Sequence, residues 1–358
     1  RKPSSRSRAL IARARLVKIL EASPERRVAP CPYFGRCGGC QWQHMSYSAQ
    51  LRAKKKIIEY QLRRIGQQEA PPVRDVIGME DPWHYRNHVQ AKVDSDGNLA
   101  FREHESHRNV PIDYCPLLHP LLSKVWEDLQ IDVPEIQSVS LRSGTRTGER
   151  LLLFRGEAES PPSLTLDERV SCVYQHESDE PLLMVGDGLY HEELCRRTFQ
   201  VSATSFFQCN TAQADRLVQL VDGYLDLGPE DVLLDLYCGV GTFMLCLAPQ
   251  VEFAIGIESS ESAVKDARAN NDHENAEILQ GQIADILSEY RVLCSAAILD
   301  PPRAGCSGEA IQGLVASSPE RICYVSCDPA TLARDIGRLA EEGYHLLEVQ
   351  PVDLFPQT

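Results

Sequence analysis

The chain has 358 residues, 43 % of them hydrophobic, and a formal net charge of −14. That length supports two or three domains with ordinary cores and excludes a small disulfide-held scaffold, so its thirteen cysteines read as reduced thiols and metal ligands. No run approaches the roughly 20 apolar residues of a membrane span and no signal-peptide pattern opens the sequence, so a cytoplasmic protein without a membrane partner is expected.

The charge is unevenly shared. Residues 1–74 hold 17 Lys+Arg against 4 Asp+Glu, whereas 75–358 hold 20 against 47. A basic end suits nucleic acid, although a solvated basic face has the same composition; the acidic remainder excludes a chain that coats nucleic acid along its whole length. Residues 1–8 are polar and basic with no apolar periodicity, the pattern of a disordered arm. Residues 9–20 alternate loosely as one strand, the last piece of a small barrel. Cys31, Cys37 and Cys40 follow within ten residues, with Gly35, Gly38 and Gly39 letting the backbone bend between them. Cys115, followed by Pro116, is the best fourth ligand; the spacing suits an iron–sulfur cluster and structural zinc equally.

Ser46 to Ile65 reads as a helix, with a serine cap, apolar Leu51, Ile57, Ile58, Leu62 and Ile65, and Gly66 at its end. Its other face carries Arg52, Lys54, Lys55, Lys56, Arg63 and Arg64, fit for phosphate contact or for solvation. From Pro71 to Phe207 short runs such as Val89–Val93, Gln137–Arg142 and Leu151–Phe154 predict an antiparallel β domain. Within it, Trp83 to His88 mixes aromatic, basic and amide side chains, which suit either unpaired bases or the edge of an aromatic core.

After Ala212 the pattern becomes strand, helix, strand. Val232–Leu236 is a buried strand, Tyr237 to Thr242 a glycine turn where a ligand can approach backbone, and Glu258 closes the strand beginning at Phe253, where a carboxylate suits a ribose diol. Gly239 and Gly241 depart from the six-residue dinucleotide fingerprint, against a nicotinamide enzyme. Strands are predicted at Glu277–Leu279, Ala296–Leu299, Arg321–Val325 and Leu346–Val349, with helices at Glu261–Asn270, Ser307–Ser317 and Ala330–Glu342, giving a doubly wound α/β sheet. Asp285 is placed to accept from an adenine amino group, and Asp300 faces the reaction centre. Cys327 falls where a strand gives way to a helix, where the dipole favours a thiolate; it is the candidate nucleophile, although a buried cysteine that acts as a small hydrophobe is the plainer reading of that position.

Together the cysteine set, Phe206-Phe207-Gln208, the glycine turn, Asp300-Pro-Pro-Arg303, Ser326-Cys327-Asp328-Pro329 and Phe355-Pro356-Gln357-Thr358 resemble the RNA 5-methyluridine methyltransferase family, especially its iron–sulfur members that act on 23S ribosomal RNA. The resemblance runs from about Ala12 to the last residue. It implies a class I (Rossmann-like) methyltransferase sheet using S-adenosylmethionine, a smaller β domain with a [4Fe–4S] cluster on Cys31, Cys37, Cys40 and Cys115, and a remnant of a TRAM (OB-like) barrel. The implied division is 1–20 for the remnant, 21–42 and 76–205 for the iron–sulfur β domain, and 43–75 and 206–358 for the methyltransferase. Cofactor contacts implied by motif position are Gln208, Tyr237, Thr242, Glu258, Asp285 and Asp300; the family often has asparagine where Thr242 stands.

In that family a thiolate adds to carbon 6 of uracil, which makes carbon 5 nucleophilic enough to take the sulfonium methyl. Cys327 matches the thiolate. The base that removes the carbon-5 proton is a glutamate a few residues past the Phe-Pro-Gln-Thr motif, and the sequence stops at Thr358. The implied substrate is a 23S rRNA uridine, with transfer RNA as the alternative and a non-catalytic iron–sulfur RNA-binding factor as a third reading. An amino-group methyltransferase would carry an aromatic where Arg303 stands, and a 5-methylcytosine enzyme would carry its nucleophile in the Asp300–Arg303 stretch, from which Cys306 is displaced.

Overall fold

The computed structural model describes residues 16–159, 161, 170–177, 179–290 and 292–358. The arm expected at 1–8 lies outside these residues, as does most of the strand expected at 9–20; Leu16 to Leu20, the described part, carry no strand. The first helix, α1 (Tyr47–Arg64), starts where the Ser46 side chain accepts from the Ala49 amide. Leu62 on α1 is fully buried against Ala333 and Ile336, near the other end of the chain.

A seven-stranded sheet follows: β1 (His88–Val93), β2 (Leu99–Arg102), β3 (Asn109–Pro111), then helix α2 (Pro120–Asp128), β4 (Ile136–Ser143), β5 (Arg150–Gly156), β6 (Ser171–His176) and β7 (Leu182–Val185). Their order is β3-β2-β1-β4-β5-β6-β7. Alternation buries Val89 and Ala91 of β1 against Val139 and Leu141 of β4, and α2 covers this core with Leu122 and Trp126, whose indole N–H donates to the Ile112 carbonyl at 2.7 Å. The expected antiparallel arrangement needs one correction: β5 and β6 run parallel, because the 157–170 connection is long enough for the crossover that parallel neighbours require.

The hairpin β8 (Leu189–Leu194) and β9 (Arg197–Ser202) stands apart from that sheet. Its two turn residues, Cys195 and Arg196, have φ of 49° and 64°, the left-handed pair that a tight hairpin demands. Tyr190, Leu194, Phe199 and Val201 are buried with Val218 and Leu225 of α3 (Thr211–Leu225) and with the strand that follows.

The remaining elements alternate: β10 (Val232–Leu236), α4 (Thr242–Leu247), β11 (Phe253–Glu258), α5 (Glu261–Asn270), β12 (Ala276–Gln280), α6 (Ile283–Glu289), β13 (Ala296–Leu299), α7 (Gly308–Ala316), β14 (Arg321–Tyr324) and α8 (Pro329–Glu341). The five strands lie in the order β12-β11-β10-β13-β14, every neighbouring pair parallel. The order reverses between β10 and β13, so a crevice opens at the carboxyl ends of those strands. The strand predicted at Leu346–Val349 is absent; Val349 and Val352 instead make single parallel bridges to Val73 and Ile77, so the end of the chain lies along the segment that follows α1. Among the described residues no helix is long and apolar enough to cross a membrane.

Candidate active site

Three of the predicted cofactor residues stand in the loops that leave the carboxyl edge of the parallel sheet. Tyr237 follows β10 at φ 66°, Gly239 and Gly241 come next at φ 57° and 87°, and a Cβ at Gly239 would meet open space, so the turn leaves its backbone approachable. Glu258 closes β11; its carboxylate accepts from the Gly239 amide at 3.1 Å and from the Ser259 and Ser260 amides, so turn and carboxylate share one position. Asp300 follows β13, its amide bonded to the Leu236 carbonyl. Part of Asp300 still reaches solvent, yet its carboxyl is ringed by protein and burial pushes it up to about 7.

Thr242 begins α4 and is half-buried. Asp285 lies in the first turn of α6 and is exposed. Below the turn, fully buried Asp235 holds the Met244 amide with one oxygen, while the other has no partner; desolvation drives this carboxyl well above the ordinary range. The residues present therefore fit a nucleoside with a cationic group: carboxylates at the ends of β11 and β13, on either side of the strand that leads into the open glycine turn, and buried acids that a nearby positive charge would ionise.

Cys327 is exposed, three residues past the end of β14. The Val325 amide donates to the Leu299 carbonyl at 2.7 Å, so the loop carrying Cys327 leaves the sheet beside the one carrying Asp300. The buried, hydrophobe-like cysteine is therefore not what this position holds. The helix argument changes too. Asp328 caps α8, its carboxylate accepting from the Ala330 and Thr331 amides, so a carboxylate already meets the positive end of that helix.

The four predicted ligands, Cys31, Cys37, Cys40 and Cys115, line one cavity of about 520 Å³. Turns shape it: the Cys37 amide donates to the Tyr33 carbonyl, Gly38 to Arg102, and the Gly39 amide to Cys37 Sγ at 3.4 Å. Burial pushes the Cys40 thiol up to about 12 and Cys115 up to about 11, and raises Cys37. Among the described residues no three Cys, His, Asp or Glu side chains are drawn close enough to hold a single metal ion. The four cysteines line this cavity together with Tyr33, Phe34 and Arg86.

Beside this cavity lies a second, of about 340 Å³, that shares Arg86, Val89, Gln90 and Phe101 with it and adds His88, Phe206, Gln208 and Phe355. Gln208 is thus brought to this second cavity. Phe206 is 66 % exposed there, and the Arg86 guanidinium stacks over the Phe355 ring at 5.9 Å. The Trp83–His88 stretch divides: Tyr85 is buried with its hydroxyl on the Pro356 carbonyl, and buried Asn87 donates to the Gln208 carbonyl and to Thr211, while Arg86 and His88 face the cavity. His88 is neutral at physiological pH, because burial lowers it to about 3.

Sequence reasoning missed what holds the last residues. Gln357, at φ 71°, donates its amide to Gln50 Oε1 at 3.1 Å and accepts from Gln50 Nε2 at 2.9 Å, and its carbonyl accepts from the Gln41 and Trp42 amides next to Cys40. No periodicity signals a pairing between residues so far apart in the chain. The basic face of α1 is likewise largely spoken for: Lys54 binds Asp353 and the Phe355 carbonyl, Lys55 binds Asp75, and Arg52 binds Glu25.

Comparison with known proteins gives these features a context. Residues 193–289 and 281–358 match the family model described as tRNA (uracil-5-)-methyltransferase. An RNA methyltransferase of Gloeobacter violaceus is 36 % identical over 96 % of this chain and 83 % of its own length, and one of Halalkalibacterium halodurans is 35 % identical over 96 % and 84 %. Among solved structures, the Pyrococcus abyssi tRNA (uracil-54, C5)-methyltransferase in complex with S-adenosyl-L-homocysteine superposes with a TM-score of 0.74 at 27 % identity, covering 95 % of this chain and 86 % of that one. On relatives that span nearly its whole length and a family model that takes in both the glycine turn and Cys327, the chain belongs to the RNA (uracil-5-)methyltransferase family.

Proposed function

We propose that the protein methylates carbon 5 of a single class of uridine in RNA, in 23S ribosomal RNA, through a covalent bond between Cys327 and carbon 6 of the base. The observation that carries this reading is the exposed Cys327 thiol in a loop that leaves the sheet beside Asp300, at the carboxyl edge where α/β sheets bind ligands. S-adenosylmethionine, when bound, supplies an electrophilic methyl group. Glu258, the Tyr237–Thr242 turn, Asp285 and Asp300 would hold it, and the family pattern adds Gln208, which lines the second cavity.

The chemistry of this chain's own groups follows from uracil. Cys327 Sγ bonds to carbon 6 and the electron pair moves to carbon 5 and the carbonyl at carbon 4. Carbon 5 takes the methyl group, a base removes its proton, and the electrons left behind expel the thiolate as the double bond re-forms. The base must be out of its stack to reach the thiol.

The cysteine cavity supports a [4Fe–4S] cluster on Cys31, Cys37, Cys40 and Cys115. The same reading assigns 43–75 and 206–358 to the methyltransferase, a division supported by the packing of Leu62 against α8, and assigns 21–42 and 76–205 to an RNA-binding β domain. A transfer RNA substrate is the second reading, favoured by the family model's description and by the Pyrococcus neighbour.

The test is methyl transfer from labelled S-adenosylmethionine to unmodified 23S rRNA and to unmodified transfer RNA, followed by nucleoside analysis. Label in 5-methyluridine from 23S rRNA supports the proposal. Label only in transfer RNA moves it to the second reading, and label in a cytidine or adenosine derivative overturns it.

A further inference from the structure

Asp335 is fully buried on α8 and belongs to no feature described so far. Its carboxylate accepts five hydrogen bonds from four residues: the Cys306 amide at 2.8 Å, the Tyr324 hydroxyl at 2.8 Å, Arg334 Nε at 2.8 Å and Nη2 at 3.1 Å, and Arg338 Nη1 at 3.2 Å. A carboxylate taken wholly out of water is retained only when its lone pairs are filled in this way.

Two of those donors belong to the edge where the chemistry is proposed. Cys306 ends the loop that starts at Asp300, and Tyr324 ends β14, three residues before Cys327. Asp335 therefore joins the loop that leaves β13 to the end of β14, from which the Cys327 loop departs. The rest of α8 presses on the first loop as well. Thr331 Oγ1 donates to the Arg303 carbonyl at 3.2 Å, Arg334 Nη2 to the Ala304 carbonyl at 2.8 Å, and Arg338 Nη1 to the Cys306 carbonyl at 3.1 Å. Spaced three and four apart, Thr331, Arg334, Asp335 and Arg338 share one face of the helix. Gly305 marks the closest approach: its φ is 74°, and a Cβ there would overlap the Arg334 guanidinium and the Asp335 carboxylate.

We propose that Asp335 is a positioning residue for methyl transfer, fixing the Asp300–Arg303 loop relative to the Cys327 loop so that the thiol and the bound cofactor meet the uracil ring at a set separation. It touches neither substrate nor cofactor. The proposal rests on the reading of Cys327 as the nucleophile. Attack at carbon 6 and methyl delivery at carbon 5 happen on adjacent atoms, so a small displacement of one loop against the other costs rate steeply while leaving the binding surfaces in place.

The experiment uses the full chain, RNA carrying 5-fluorouridine at the target, and S-adenosylmethionine. Fluorine cannot leave as a proton does, so the methylated adduct accumulates and its rate reads the addition and transfer steps alone. The variants are Asp335→Asn, which keeps the shape and removes the charge, and Gly305→Ala, which removes no charge and pushes the loop off the helix. Both should form adduct more slowly by about tenfold or more under saturating conditions, with cofactor and RNA dissociation constants within about twofold of the parent. Folding is read from the thermal transition; if Asp335→Asn does not fold, Gly305→Ala decides. Adduct formation within about twofold of the parent in a folded variant overturns the proposal, as does a parallel loss of cofactor affinity, which would make Asp335 a general support of the sheet. No adduct with the parent protein means that the nucleophile reading itself has failed, and the proposal falls with it.

Discussion

Cys40 and Cys115 sit in a cavity walled by turns, where burial pushes their thiols up to about 12 and about 11; Cys327 stands exposed beyond a parallel strand, in a loop tied to regular structure on both sides. Under the proposed function the same side chain is put to opposite uses. A buried thiol that resists ionisation is inert until a cationic group enters and displaces its proton. An exposed thiol at a sheet edge is open to a substrate that must be brought to it. On that reading burial, more than the identity of the residue, separates a structural cysteine from a chemical one.

The largest effect expected of this contrast is a double dissociation. Cys327→Ser should lower methyl transfer by more than about 10³-fold while leaving the thermal transition in place. Cys40→Ser should do the reverse: loss of bound iron and sulfide and a fall in transition temperature of about 5 °C or more, with a much smaller loss of single-turnover rate at low temperature. Iron and sulfide analysis with calorimetry and a single-turnover assay of both variants checks it. A melting temperature that follows Cys327 would break the contrast.

Acidification sharpens it next. Because binding of the proposed cluster would displace protons from Cys40 and Cys115, iron should be lost progressively as pH falls, and faster with a chelator present. The brown absorbance followed between pH 8 and 5 reads this directly.

Asp300 supplies a smaller effect of opposite sign. Its carboxyl is held up at about 7, so between the unfolded value near 3.8 and about 7 the folded state binds the extra proton, and stability falls as pH rises through that window. The full shift corresponds to at most about 4 kcal/mol, less what solvent reaching the residue screens. Asp300→Asn should therefore raise the melting temperature of the cofactor-free protein above pH 7, not at pH 4, while weakening S-adenosylmethionine; calorimetry at the two pH values checks the sign.

The smallest effect concerns α1. Lys54 pairs with Asp353, whose side chain is 2 % exposed, so Lys54→Glu should destabilise the protein. Lys56→Glu should leave stability within about 0.5 kcal/mol and lower the salt dependence of RNA binding by about one unit of slope. Salt titrations of RNA binding for both variants separate the two roles.

Legibility followed the range of the interaction. The α5 boundaries and the strand Ala296–Leu299 match their sequence readings residue for residue, because a serine cap, helical periodicity and a short apolar run are local signals. That Cys115 lines the same cavity as Cys31, Cys37 and Cys40 agrees with the sequence grouping of the four. The parallel pairing of β5 and β6, the missing strand at Leu346–Val349 and the Gln50–Gln357 clasp were not legible, since each depends on which distant backbone arrives alongside. The ion pairs on the basic face of α1 were out of reach for the same reason: Glu25, Asp75 and Asp353 come from three separate stretches to meet it.

The central claim is that Cys327 bonds to the uridine it methylates. RNA bearing 5-fluorouridine, incubated with this protein and methyl-labelled S-adenosylmethionine and run on a denaturing gel, should give a labelled protein–RNA band whose digestion leaves the modified nucleotide on the peptide containing Cys327. Cys327→Ala should give no band. Methyl transfer to uridine RNA by Cys327→Ala at the parent rate, or an adduct carried by another cysteine, would contradict the account.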